Sequence, residues 1–210
     1  MPSNRQQALS APPVPTLPSA PDEYSAQNTR TSSGLIRTFM IRLTSGLQSL
    51  FGPGGGQYID NPNGLFFSTA TQNIAVIDTS YPVDFNVTDL SNTVTVVDSN
   101  KITILVAGIY NFQYAANLES TNASSKNVWF WTKLNGVDTS YARITTLSGT
   151  GTYGTVNCNF SISMQADDYL QFMWAADDTN VQLVTNAAST PYPVVPASIL
   201  SVIYVSSLPP

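Results

Sequence analysis

GIYNFQYAANL (108–118) alternates at every second residue: Tyr110, Phe112, Tyr114 and Leu118 fall on one side, Asn111, Gln113, Ala115 and Asn117 on the other. A period of two belongs to a strand with one buried face. The stretch TYGTVNCNFSISM (152–164) repeats the pattern, with Val156, Cys158, Phe160, Ile162 and Met164 opposite Tyr153, Thr155, Asn157, Asn159, Ser161 and Ser163. In both segments the second face is small and polar but carries no charge, whereas a solvent face ordinarily carries Lys and Glu.

Outward from these two segments the same signal predicts strands near 64–68, 74–77, 93–97, 101–105, 128–134, 137–144, 169–175, 181–184 and 197–205. Asn135-Gly136, between Thr132-Lys133-Leu134 and Val137-Asp138, is the preferred dipeptide of a two-residue type I′ hairpin. About ten strands with turns every 8–12 residues predict two packed antiparallel sheets. Some segments are apolar on both sides: Ile199, Leu200, Val202, Ile203, Tyr204 and Val205; Ile74 to Ile77; Val128-Trp129-Phe130-Trp131. A sandwich buries one face of each sheet, so the second apolar face calls for another subunit or partner. Ile199, Leu200 and Ile203 are therefore the candidate oligomer-interface residues of the body. For Trp129 and Trp131 two readings stand side by side: packing under a loop, or a lateral contact or ligand shelf.

Residues 1–56 read differently from 57–210. Pro12, Pro13, Pro15, Pro18 and Pro21 exclude a helix over 1–22 and predict an extended arm, either a free tail or a docking segment. From Asp22 to about Phe51 the period becomes helical, and Ile36, Met40, Leu43, Leu47 and Leu50 follow the 4, 3, 4, 3 spacing of a coiled-coil seam. Such a seam packs on the chain's own body or on a second copy; Gly52-Pro53-Gly54-Gly55-Gly56 after it, a flexible break, favours the second.

Composition narrows function. Of the 210 residues 42% are apolar and only 10% charged, against roughly 25% in an average soluble protein. The net charge of −5 is unevenly placed: residues 1–56 carry four arginines against two acids, the remainder four basic against eleven acidic groups. The acidic body argues against a nucleic-acid partner. With no histidine and one cysteine, Cys158, the Ser-His-Asp and Cys-His arrangements are excluded, zinc is disfavoured, and no disulfide forms within the chain. Asp167-Asp168 and Asp177-Asp178 read as turn residues rather than calcium ligands, and no phosphate-binding glycine loop occurs. Neither cofactor nor metal nor enzymatic activity is expected. No apolar run approaches the roughly 20 residues of a membrane span, and the opening leads into prolines rather than an apolar leader, so neither membrane partner nor secretion is expected.

The segments VAGIYNFQYAANLE (106–119), NVWFWTKLNGV (127–137), GTVNCNFSISMQADDYLQFMWAADDTNVQL (154–183) and ASILSVIYV (197–205) together resemble the trimeric jelly-roll domain of the tumour necrosis factor and complement collagen-stalk superfamily. Gly108-Ile109-Tyr110 and Ala166-Asp167-Asp168-Tyr169 take the places of its recurrent motifs, with Ala166 where that family often has Gly. Ser189-Thr190-Pro191-Tyr192-Pro193 with Pro196-Ala197-Ser198 is similar to an element of bacteriophage virion proteins bearing this domain, and LPSAPDEYSAQNTR (17–30) to an opening of phage structural proteins. The resemblance implies an all-β jelly roll at 57–210 behind a Pro-rich arm and one helix. It implies a homotrimer, made in the host cytoplasm and resident in the virion, that decorates and cements the capsid by binding the major capsid protein or another virion protein. The alternative it leaves open is a tail-fibre or receptor-binding tip recognising a host glycan or protein.

Overall fold

A computed structural model describes residues 14–19, 25–51 and 61–208, with helix side chains up to Leu47. The chain divides after Asp60 into an N-terminal unit and a body. In the first, residues 14–19 lack regular structure and α1 (Ala26–Phe51) follows. Ser25 caps it: its Oγ accepts the Asn28 N–H at 3.3 Å, a donor that a helix start leaves open, and its carbonyl accepts the first helical bond, from the Thr29 N–H at 3.0 Å. The expected start at Asp22 lies outside the described residues.

The body carries fourteen strands among the described residues: β1 (Asn63–Ser68), β2 (Gln72–Asn73), β3 (Tyr81–Pro82), β4 (Val87–Asn92), β5 (Val94–Val97), β6 (Lys101–Ile104), β7 (Gly108–Ser120), β8 (Lys126–Leu134), β9 (Val137–Asp138), β10 (Arg143–Leu147), β11 (Thr152–Met164), β12 (Tyr169–Ala176), β13 (Val181–Leu183) and β14 (Ser198–Ser206). They form two seven-stranded sheets, every ladder between named strands antiparallel, in a jelly-roll sandwich. In the first sheet β4, β1, β14, β7 and β11 lie side by side; in the second, β5, β6, β12, β8 and β10. The β8–β9 hairpin closes through Asn135 (φ +50°) and Gly136 (φ +83°) with Leu134 opposite Val137, the two positive φ values that a type I′ turn requires.

Inward residues of the two sheets meet in an aromatic core. Tyr114 stacks on Phe172 with centroids 4.4 Å apart, Phe112 on Phe160 at 5.7 Å, and Phe130 on Trp174 at 6.4 Å. Burial pushes the Tyr110 phenol up to about 12, with Tyr204 adding to the shift, and its hydroxyl donates to the Val106 carbonyl at 2.6 Å.

Two strand expectations are corrected, and the sequence pattern misses the short β2 and β3 and the edge strand β4. Residues 74–77 form a turn, not a strand: Ile74 alone is buried, while Val76 and Ile77 are exposed, and Asp78 at φ +54° donates its N–H to the Ala176 carbonyl. A short apolar run looks the same whether one or all of its side chains reach the core. The expected strand 137–144 breaks into β9 and β10, because Tyr141 leaves the ladder to stack on Phe160 at 4.3 Å and donate its hydroxyl to the Ser161 carbonyl at 3.2 Å. β4 was not expected; it pairs only with β1 at the sheet edge, where polar VTDLSN suffers no burial cost.

Candidate oligomer surface

The outer side of the first sheet follows from strand parity. On β14, Leu200 and Val202 point inward and are fully buried, while Ile199, Ile203 and Val205 are 41%, 45% and 56% exposed. Leu200, grouped by sequence with the interface candidates, is thus a core residue: its cross-strand partner is the inward Tyr114, whereas Ile199 stands opposite Ala115 and Ile203 opposite Asn111. Leu65 and Phe67 of β1 continue the apolar column, facing Leu90 and Val87 of β4.

Beside that column lies one of amides and hydroxyls. Ladder pairing places Asn157 beyond Ala115, Asn159 beyond Gln113 and Ser161 beyond Asn111. Asn111 Nδ2 donates to Asn159 Oδ1 at 2.8 Å, and Gln113 Nε2 donates to Asn111 Oδ1 at 3.1 Å, so the amides are tied along the sheet. A shallow depression of about 460 Å³ lies between Gln113, Ala115, Asn157, Asn159, Ile199 and Ser201. No charged residue occurs in 108–118, 152–164 or 198–206. Depletion of charge at the centre of a patch, rather than bulk hydrophobicity, is the compositional mark of a protein–protein interface.

Trp129 and Trp131 lie half-buried on the outer side of the second sheet, since Val128, Phe130 and Thr132 take the inward positions of β8. Trp129 is paired with Ile144 and Ala175, and Trp131 with Met173. The Trp131 indole N–H donates to Asp138 Oδ1 at 2.8 Å. Of the helix candidates, Ile36, Met40 and Leu47 are exposed and Leu43 half-buried; the Leu50 side chain lies outside the described residues.

The remaining chemistry is structural. Cys158 is half-buried; desolvation raises its thiol pKa, only partly opposed by Arg143, so it stays protonated at neutral pH. Among the described residues no group of three or more acidic or Cys side chains is placed to hold a metal. Asp168 accepts the Gln165 N–H and the Asn135 amide, and Asp177 accepts the Asn127 N–H with both oxygens. Ser189 and Tyr192 close an exposed turn by reciprocal backbone bonds.

Asp178 ties two loops together, accepting from Lys126 at 2.8 Å, Asn122 at 2.7 Å and Asn180. The Lys126 bond first, then those from Asn180, hold its carboxyl well below the usual carboxylate range. A depressed folded-state pKa gives stability that is present above the unfolded value of about 4 and lost as pH falls toward the folded one. Asp178→Asn is expected to cost about 1–3 kcal/mol at pH 7, with the gap to wild type narrowing as pH falls from about 4 toward 2. Urea titrations across that range check it, and a gap independent of pH would contradict it.

No protein-family model matches the chain, nor does any curated protein. Among solved structures, the globular domain of zebrafish complement 1qA protein is similar over 70% of this chain and 99% of that domain, at 12% identity and a TM-score of 0.45.

Proposed function

We propose that the protein is a homotrimeric virion knob that decorates and cements a capsid, the body supplying the trimer and the N-terminal unit the attachment. The observation that carries the assembly is the outer side of the first sheet, uncharged over 109–117, 153–163 and 199–205 with Glu119 at the end of β7, where Ile199, Ile203 and Val205 are exposed beside the amide column. Left in water, those three side chains forgo roughly 25 cal/mol for each Å² of apolar surface that association would cover. Two amides of the column already bond within it, Asn111 to Asn159 and Gln113 to Asn111, so those donors keep a partner when water leaves. Three copies, and the virion setting, follow the sequence resemblance rather than the face itself.

Sedimentation of the body at micromolar concentration tests the assembly. Wild type is expected to run as a trimer. Ile203→Asp is expected to run as a folded monomer with an unchanged circular dichroism spectrum, since its side chain is 45% exposed in the single chain and costs the fold little. A monomeric wild-type body would defeat the proposal. Immunogold labelling of virions tests the setting: label spread over the head is expected, and label confined to the tail would replace cement with a tail role.

A further inference from the structure

Helix α1 carries an apolar face wider than a coiled-coil seam. At 100° per residue, Leu35, Phe39, Leu43, Ile36, Leu47 and Met40 fall within an arc of about 140° over 35–47, some four turns long. Leu35 and Phe39 lie outside the seam, and Ile41 is the one apolar residue on the opposite side. A strict seam is the narrow stripe of a coiled coil; a broad arc faces a continuous apolar phase or a core. Leu35, Ile36, Met40 and Leu47 are all exposed.

The charges bordering this arc are of one sign. Arg42 lies about 20° beyond the Leu35 edge and Arg37 about 60° beyond the Met40 edge, with Arg30 one to two turns earlier in the chain. No acidic residue occurs from 26 to 51, so a helix-to-helix assembly would gather arginines with no carboxylate to pair them. Arginines on both borders can extend sideways to phosphate while their stems remain on apolar ground. The rest of the polar side is Ser, Thr, Gly and Gln, and Thr29, Thr31 and Thr38 return their hydroxyls to carbonyls four residues back.

We infer that α1 lies in the plane of an anionic lipid surface, its 35–47 arc in the acyl boundary and Arg37 and Arg42 on headgroup phosphates. A wide apolar arc, low overall hydropathy and a cationic border describe an interfacial helix. Among the described residues no helix is long and apolar enough to cross a membrane, but a helix lying in the interface crosses nothing and needs no span. The inference does not rest on the trimer reading, and it gives α1 a lipid surface in place of the capsid contact proposed for the N-terminal unit.

The test is flotation of the full chain with vesicles of phosphatidylcholine containing one quarter phosphatidylglycerol, beside vesicles of phosphatidylcholine alone, at 50 mM and 500 mM salt. The chain is expected to float with the anionic vesicles at low salt and to remain below with the neutral ones. The combined Arg30→Gln, Arg37→Gln, Arg42→Gln variant is expected to lose about a hundredfold in partition, at roughly a factor of five per arginine. Met40→Asp with Leu43→Asp is expected to abolish flotation while the body's melting transition stays in place. The inference is overturned if the wild-type chain fails to float, floats equally with neutral vesicles, or floats undiminished when either set of residues is changed. Sedimentation of the same samples reports the body's trimer separately, so the two readings fail independently.

Discussion

Leu200→Asp is expected to prevent the body from folding. Leu200 is fully buried on β14, opposite Tyr114 and therefore against the aromatic core. Removing the leucine forfeits about 2–5 kcal/mol of packing, and a carboxylate in its place must be dehydrated with no cation beside it, at several kcal/mol more. The total rivals the 5–15 kcal/mol that holds a typical domain together. Soluble expression and circular dichroism read the outcome, beside Ile203→Asp three residues along the same strand. The same chemical change should destroy the fold at one position and only the oligomer at the other. A Leu200→Asp body that melts where wild type melts would show that β14 is one residue out of register.

Phe172→Ala is expected to cost about 3–5 kcal/mol, a loss of melting temperature on the order of 10 °C. The ring is buried, stacked at 4.4 Å on Tyr114 and tilted against Phe112 at 6.4 Å and Phe160 at 6.2 Å. Because its ring contacts come from two strands of the facing sheet, β7 and β11, the cavity left by truncation cannot close by the shift of a single strand. Phe160→Ala should cost less, since Phe160 is only half-buried and Tyr141 shields its outer side. Melting must be compared at one protein concentration, as an oligomer's midpoint moves with it. A drop of under about 2 °C would mean that neighbouring rings refill the space.

Much of the body is legible in individual residues. The alternation over 108–118 and 152–164 predicts β7 and β11 to within two residues and assigns their inward sides correctly. Asn135-Gly136 locates its turn because few dipeptides accept two consecutive positive φ values. Where the pattern loses its period, the reading fails. Ile74 to Ile77 has no polar residue to mark a face, and β4 has too few apolar ones. The break after β9 depends on Tyr141 finding Phe160, nineteen residues away in the chain.

The candidate surface divides the same way. The sequence alone determined that the 197–205 segment has two apolar sides and that the segments it accompanies have an uncharged one, since a period of two sorts side chains whatever they pack against. It also determined the excess of four arginines over two acids in residues 1–56, which is composition and needs no fold. Which side of β14 is core was decided only by the tertiary structure. Ile199 and Leu200 have nearly the same hydrophobicity, and only the ladder setting Leu200 opposite Tyr114, with the second sheet above it, makes one inside and the other outside. Burial is a relation between strands distant in sequence, and when both sides of a strand are apolar no local pattern carries that relation.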